Sequence, residues 1–121
     1  MNILIVDDSE LFRRGMQQLI ESYCKSPLLK EAGSVAEGIR LYKEFRADAV
    51  LLDLSLPDGS GLDVLKVIRK EGRPVLVMVL TDYSSDQLRI RALQEGADYF
   101  LDKATEFEMA GIMLRDREKH L

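Results

Sequence analysis

Ala49-Val50-Leu51-Leu52-Asp53 sets four apolar residues in a row against a closing carboxylate. A continuous apolar run this short, ended by a charge, suits a strand covered on both faces in the middle of a parallel sheet. An unpaired charge buried at the end of such a strand is costly, so Asp53 has to face a compensating partner or a cleft. Two further runs have the same form. Ile3-Leu4-Ile5-Val6 is followed by Asp7-Asp8, and Val75-Leu76-Val77-Met78-Val79-Leu80 is followed by Thr81. Residues 28–32 include Lys30 and Glu31, while residues 99–101 form a short run flanked by Asp98 and Asp102, so both suit sheet edges.

Helical patterns lie between the runs. Ser34 with Glu37, Ser60 with Asp63, Ser84 with Gln87 and Thr105 with Glu108 have capping-box or closely similar spacing and predict four helix starts. Gly72, with Pro74 beyond it, and Gly96 predict the ends of the third and fourth helices. In the first helix Phe12, Met16, Leu19, Ile20 and Tyr23 recur at three- and four-residue spacing and form a face for the sheet. Five alternations of strand and helix predict an α/β fold, a doubly wound five-stranded parallel sheet with five helices and right-handed crossovers. Central first, third and fourth strands with second and fifth strands at the edges give the order 2-1-3-4-5. In that order ligands bind beyond the carboxyl ends of the strands, where the chain reverses direction between strands one and three.

Size and charge narrow the function. The 121 residues fit one domain spanning 1–121, with no linker, repeat or low-complexity segment. A net charge of −4, with 31% charged residues of both signs, gives no basic footprint for direct nucleic-acid or anionic membrane binding. No leader-like N-terminus or membrane-length apolar run is present, so a cytoplasmic protein is expected. Cys24 is the only cysteine, which excludes an intrachain disulfide and suits a buried helix thiol.

The predicted sheet brings Asp7, Asp8, Asp53, Thr81 and Lys103 to one edge. Close carboxylates repel by about 4 kcal/mol per pair at an effective dielectric near 20. A divalent cation such as magnesium, which takes hard oxygen ligands, offsets that repulsion, and Lys103 adds a mobile positive charge. A carboxylate beside a metal and an ammonium can attack phosphorus, with a hydroxyl such as Thr81 meeting the phosphoryl oxygens. Taken singly, Asp7-Asp8 suits helix capping and Lys103 suits the surface. Convergence of four strand ends on one pocket favours a site.

With these residues in place the chain resembles the receiver domain of a two-component response regulator, similar to chemotaxis regulators and of flavodoxin-like fold. The motifs are Asp7-Asp8, the stretch Leu51-Leu52-Asp53-Leu54-Ser55-Leu56-Pro57-Asp58-Gly59-Ser60-Gly61, Leu80-Thr81, and Gly96-Ala97-Asp98-Tyr99-Phe100-Leu101-Asp102-Lys103. The resemblance implies a phosphorylation-activated signalling switch in a phosphorelay. Asp53 is then the phosphoacceptor, forming 4-aspartylphosphate. Mg2+ is bound by Asp8, Asp53 and the backbone carbonyl of Ser55, with Asp7 supporting it through water. Thr81 contacts the phosphoryl group, Lys103 pairs with it, and Phe100, in preference to Tyr99, is the aromatic whose rotamer follows. The donor is a sensor histidine kinase or histidine phosphotransfer protein. The output is a downstream protein target or output domain, or a phosphorylation-linked homodimer. Such a protein is no metabolic enzyme, but a phosphoacceptor with self-catalysed transfer and slow autodephosphorylation.

Two positions depart from the family pattern. Ala104 stands where a proline with a cis peptide usually follows the lysine, and a trans Lys103-Ala104 bond is expected because cis costs about 3–4 kcal/mol without proline. Asp82, followed by Tyr83, stands where a small residue usually follows the threonine. A pseudo-receiver that docks without phosphorylation is the alternative these departures support, and the complete Asp-Asp-Asp-Thr-Lys set opposes it. A haloacid-dehalogenase-like phosphatase needs a second aspartate at the position of Ser55. A flavodoxin's phosphate would meet three repelling carboxylates.

Overall fold

Strand and helix alternate as the apolar spacing demands. The computed structural model describes residues 1–121. β1 (Asn2–Val6), α1 (Glu10–Tyr23), β2 (Leu28–Ala32), α2 (Val35–Phe45), β3 (Ala49–Leu52), α3 (Gly61–Glu71), β4 (Leu76–Thr81), α4 (Asp86–Gln94), β5 (Tyr99–Asp102) and α5 (Phe107–Lys119) follow one another. The five strands form one parallel sheet in the order β2-β1-β3-β4-β5. Every residue of β3 and β4 is buried, which is why both read as unbroken apolar runs. β2 lies at an edge and leaves Lys30 and Glu31 exposed.

Alternate strand residues serve two cores, because successive side chains leave a strand on opposite faces. Leu4, Val6, Val50, Leu52, Val77, Val79 and Phe100 pack with Tyr42 of α2, Leu65 and Ile68 of α3 and Ala92 of α4. Ile3, Ile5, Leu51, Met78, Leu80 and Leu101 pack with Met16 and Ile20 of α1 and with Ala110 and Leu114 of α5. Of the face expected for α1, Met16 and Ile20 are buried, while Phe12, Leu19 and Tyr23 are partly buried against the same cluster. Burying each large aliphatic side chain stabilises the fold by about 1.5–3 kcal/mol.

Several boundaries differ from the sequence reading. Ser34 and Ser60 cap α2 and α3 as expected, their hydroxyls accepting from Glu37 N and Leu62 N. At α4 the cap is Ser85, not Ser84, and its hydroxyl accepts from Leu88 N at 3.1 Å. Two adjacent serines offer the same capping chemistry, so spacing alone could not choose between them. At α5 the Thr105 box does not form. Asp102 Oδ1 accepts from Ala104 N at 2.8 Å and Thr105 N at 3.1 Å, tightening a turn that delays the helix to Phe107. β4 begins at Leu76, since the Val75 amide donates to Arg73 O in a turn. A small antiparallel ladder, Ser55–Leu56 with Gly59–Ser60, was not foreseen. Gly72 (φ 84°) and Gly96 (φ 109°) sit just past α3 and α4, where both stops were expected.

Candidate functional site

The sheet register builds the site. Val6 lies beside Leu52, so the next residues, Asp7 and Asp53, emerge together. The Asp53 amide donates to Val6 O and the Asp7 amide to Ala32 O, both at 2.9 Å, so these aspartates are fixed by the ladder and not by a loose loop. Thr81 lies beside Asp102, and the Lys103 amide donates to Thr81 O at 3.1 Å, which ties the lysine to the end of β4.

The Lys103 ammonium bridges two carboxylates. Its Nζ lies 2.5 Å from Asp7 Oδ2 and 3.0 Å from Asp53 Oδ2, with the lysine side chain only 9% exposed. The shorter contact is an ion pair without good hydrogen-bond angles, so Asp7 Oδ2 remains a buried oxygen with no directed donor. Asp7 Oδ1 accepts from Ser9 N at 2.8 Å, and Asp53 Oδ1 accepts from Ser55 N at 3.2 Å. Burial pushes the Asp7 carboxyl above its ordinary range, although Lys103 and the Ser9 amide pull it down. Burial acts against the Lys103 charge, but the close Asp7 and Asp53 carboxylates outweigh it and hold the ammonium above the usual lysine range.

One ammonium does not balance three carboxylates. Asp7, Asp8 and Asp53 each offer an oxygen, and these oxygens lie within 4.8 Å of one another, with Asp8 exposed at the rim. A hard oxygen set, an undirected Asp7 oxygen and excess negative charge fit a hard divalent cation.

Thr81 is buried, and its Oγ1 accepts from Tyr83 N at 3.2 Å, which leaves the hydroxyl proton free to donate. Phe100 is buried in the α2–α3–α4 core, whereas Tyr99 is 39% exposed. Ser55 is exposed and sits in the small ladder opposite Ser60. Behind it α3 comes close: a Cβ on Gly61 would stand 2.2 Å from Asp53 O, so only glycine permits this approach. Asp7, Asp8, Asp53, Ser55, Thr81 and Lys103 therefore lie together at the carboxyl end of the sheet, whereas Phe100 lies in the core beneath it and Tyr99 at the start of its strand.

Three contributors were missed. Phe12 was read as core, yet Lys103 Nζ lies 4.3 Å from its ring centroid. Its place in the first turn of α1, one turn past Asp8, was the available signal. Asp58 accepts from Val35 N at 2.7 Å and Ala36 N at 3.0 Å, pinning the loop after Asp53 to the start of α2. Asp102 shapes the turn carrying Lys103, and the Lys103-Ala104 peptide is trans as expected.

Comparison with known proteins agrees with this arrangement. A family model described as the response regulator receiver domain matches residues 3–112. The chain belongs to the response regulator receiver domain family. It is 38% identical over 109 residues to the nitrate/nitrite response regulator protein NarP of Escherichia coli, covering 88% of this chain and 50% of that protein. It is 37% identical over 106 residues to the transcriptional regulatory protein YdfI of Bacillus subtilis, covering 88% and 49%. This receiver thus spans about half the length of the curated relatives it matches. Among solved structures, the signal receiver domain of the putative response regulator NarL from Mycobacterium tuberculosis has a TM-score of 0.81 at 28% identity, covering 98% of this chain and 95% of that one. The CheY-like receiver of Methanospirillum hungatei shares the fold, with a TM-score of 0.87 at 23% identity, covering 98% and 94%. Receivers of this family are phosphorylation-dependent switches in two-component signalling, and binding of Mg2+ is typical of them. No helix is long and apolar enough to cross a membrane.

Proposed function

We propose that Asp53 accepts a phosphoryl group from a phosphohistidine of a sensor histidine kinase or histidine phosphotransfer protein. The observation that carries this reading is the Lys103 Nζ contact with Asp53 Oδ2 at 3.0 Å, in a pocket that also holds Thr81 and an undirected Asp7 oxygen. One Asp53 carboxylate oxygen attacks phosphorus. The phosphorus–nitrogen bond breaks, its electron pair stays on the imidazole, and an acyl phosphate forms. Lys103 exchanges an Asp53 oxygen for a phosphoryl oxygen, a short move for a flexible stem. The Thr81 hydroxyl donates to a second phosphoryl oxygen. Asp8, Asp53 and the Ser55 carbonyl would hold Mg2+, with Asp7 acting through water. Bound there, the cation neutralises the carboxylates and the transferring group.

Phosphorylation draws Thr81 toward the acceptor, and Phe100, already buried in the core beneath it, repacks in response, altering the surface around α4, β5 and α5. Residues 1–121 act as a single receiver, either alone or joined to an output domain, and a phosphorylation-linked homodimer is one form the output takes. Any DNA contact belongs to an attached domain, because this one has a net charge of −4. The donor kinase places the reaction in the cytoplasm. Intact-mass spectrometry with Mg2+ and a small acyl phosphate tests the reading. Wild type gains one phosphoryl group, Asp53→Asn gains none, and equal labelling of that variant would move the acceptor elsewhere.

A further inference from the structure

We propose that Phe12 is a positioning residue for the phosphoryl transfer, holding the Lys103 ammonium against its ring face; this inference rests on the reading of Asp53 as phosphoacceptor. Lysine is a point charge on a four-carbon stem and loses its aim easily. Here the backbone at 103 is fixed from two sides. The Lys103 amide bonds Thr81 O, and Asp102 closes the turn after it through Ala104 N and Thr105 N. Glu106 Oε1 accepts from Asp102 N at 3.0 Å, and Glu106 N donates to Asp102 O at 2.9 Å, a reciprocal pair that locks the same turn. These contacts set where the side chain departs but not where its charge ends.

The end of the stem has three neighbours: Asp7 Oδ2, Asp53 Oδ2 and the Phe12 ring, whose centroid lies 4.3 Å from Nζ. The ring is itself braced. Phe107, in the first turn of α5, meets it edge to face at 5.8 Å and 79°, so α1 and α5 both fix its position. An aromatic face attracts a cation through its quadrupole without accepting a directed hydrogen bond. That difference matters for the reaction. A third carboxylate would compete with the arriving phosphoryl oxygens for the ammonium protons, whereas a ring keeps the charge in place and leaves its N–H groups free to change partner.

The test weakens the quadrupole while keeping the ring. Phe12 is replaced by mono-, di- and trifluorinated phenylalanine, and the initial rate of Mg2+-dependent phosphoryl uptake from a small acyl phosphate is followed by intact mass. The rate falls stepwise with each fluorine, Phe12→Leu lowers it about tenfold, and Phe12→Tyr stays within about twofold. In the unphosphorylated protein the Lys103 ε-methylene protons are shifted upfield by the ring, and Phe12→Leu returns them to the ordinary lysine position. Equal rates across the fluorinated series, or an ε-methylene shift unchanged in Phe12→Leu, overturn the role of Phe12. If wild type itself takes up no phosphoryl group, the phosphoacceptor reading falls first and this role falls with it, whereas a labelled wild type with a flat series removes Phe12 alone.

Discussion

At the end of the sheet where the strands begin, Arg69 donates to Gly96 O and Val75 O, both at 2.8 Å, and to Asp98 Oδ2 at 2.9 Å, and that oxygen also accepts from Val77 N. Beside it the Tyr42 hydroxyl and Arg73 Nε both donate to Glu71 Oε1, while Arg73 Nη2 reaches Ala47 O. Each charge there meets its opposite or a backbone dipole. At the end where the strands finish, three carboxylates lie together, one ammonium reaches only Asp7 and Asp53, and Asp7 Oδ2 has no directed donor. The same fold satisfies its charges at one end and leaves them unbalanced at the other. An imbalance is what a cation or a phosphoryl group can correct from solution, so the difference separates structural charge from charge held ready for a ligand.

The largest test of the contrast removes the one cation paired with the Asp7 and Asp53 carboxylates. Lys103→Met leaves Asp7 and Asp53 buried without their ammonium, and in metal-free buffer this should cost about 3 kcal/mol of unfolding free energy. Mg2+ should recover much of that loss, since the ion binds only the folded carboxylate set and can replace the missing charge. Urea melts with and without Mg2+ measure both quantities. Loss without recovery would make Lys103 a structural residue like Arg69.

Arg69→Ala is the matched change at the paired end and should cost about 2 kcal/mol, because two carbonyls and the Asp98 carboxylate lose a donor together. Partial exposure of the pair keeps the value below that of a fully buried ion. Mg2+ should not rescue it, and the same melts check this. Rescue of both variants to the same extent would mean that the ion acts on general charge and not on the pocket.

Acid should act on the two ends with opposite sign. Arg73 and the Tyr42 hydroxyl hold the Glu71 carboxyl below its ordinary value, so its contribution is present above the unfolded pKa and is lost as pH falls through the folded one. Burial raises the Asp7 carboxyl, so its ionisation opposes folding and the opposition fades as pH falls through its folded pKa. In metal-free urea melts, Glu71→Gln should therefore show a shallower loss of stability on acidification than wild type, and Asp7→Asn a steeper one. Parallel curves for the two variants would erase the contrast.

What the sequence disclosed follows the same division. Strand runs, strand order and the residues at the strand ends were legible, because a two-sided sheet demands unbroken apolar runs and a charge that ends one stands out. What escaped were contacts between segments distant in the chain or between equivalent neighbours. Phe12 has the same periodicity as Met16 and Ile20, and only its place one turn past Asp8 sets it apart as a ring that faces Lys103 and not a strand. Asp58 reads as a turn residue until α2 is seen to present its first amides to it. The Thr105 box failed because Asp102, three residues earlier, took the Thr105 amide first.

The smallest expected effect concerns the rim. Asp82 follows Thr81 directly, is exposed, and lines a hollow with Tyr83, Ser84, Ser85, Gln87, Leu88 and Arg91. It lies outside the Lys103 pairing, so its charge adds to the negative excess that an anionic phosphodonor meets on approach. Screening sets the size: at physiological salt the Debye length is about 8 Å, whereas at 0.01 M it is about 30 Å and the whole rim is felt. Asp82→Ala should therefore speed phosphorylation by a small acyl phosphate about twofold at 0.01 M salt and hardly at all at 0.15 M. Rates from intact mass at both salts measure it. A salt-independent gain would point to removal of a steric block and not of a charge, and equal rates for both proteins would show that the excess charge of this end is confined to Asp7, Asp8 and Asp53.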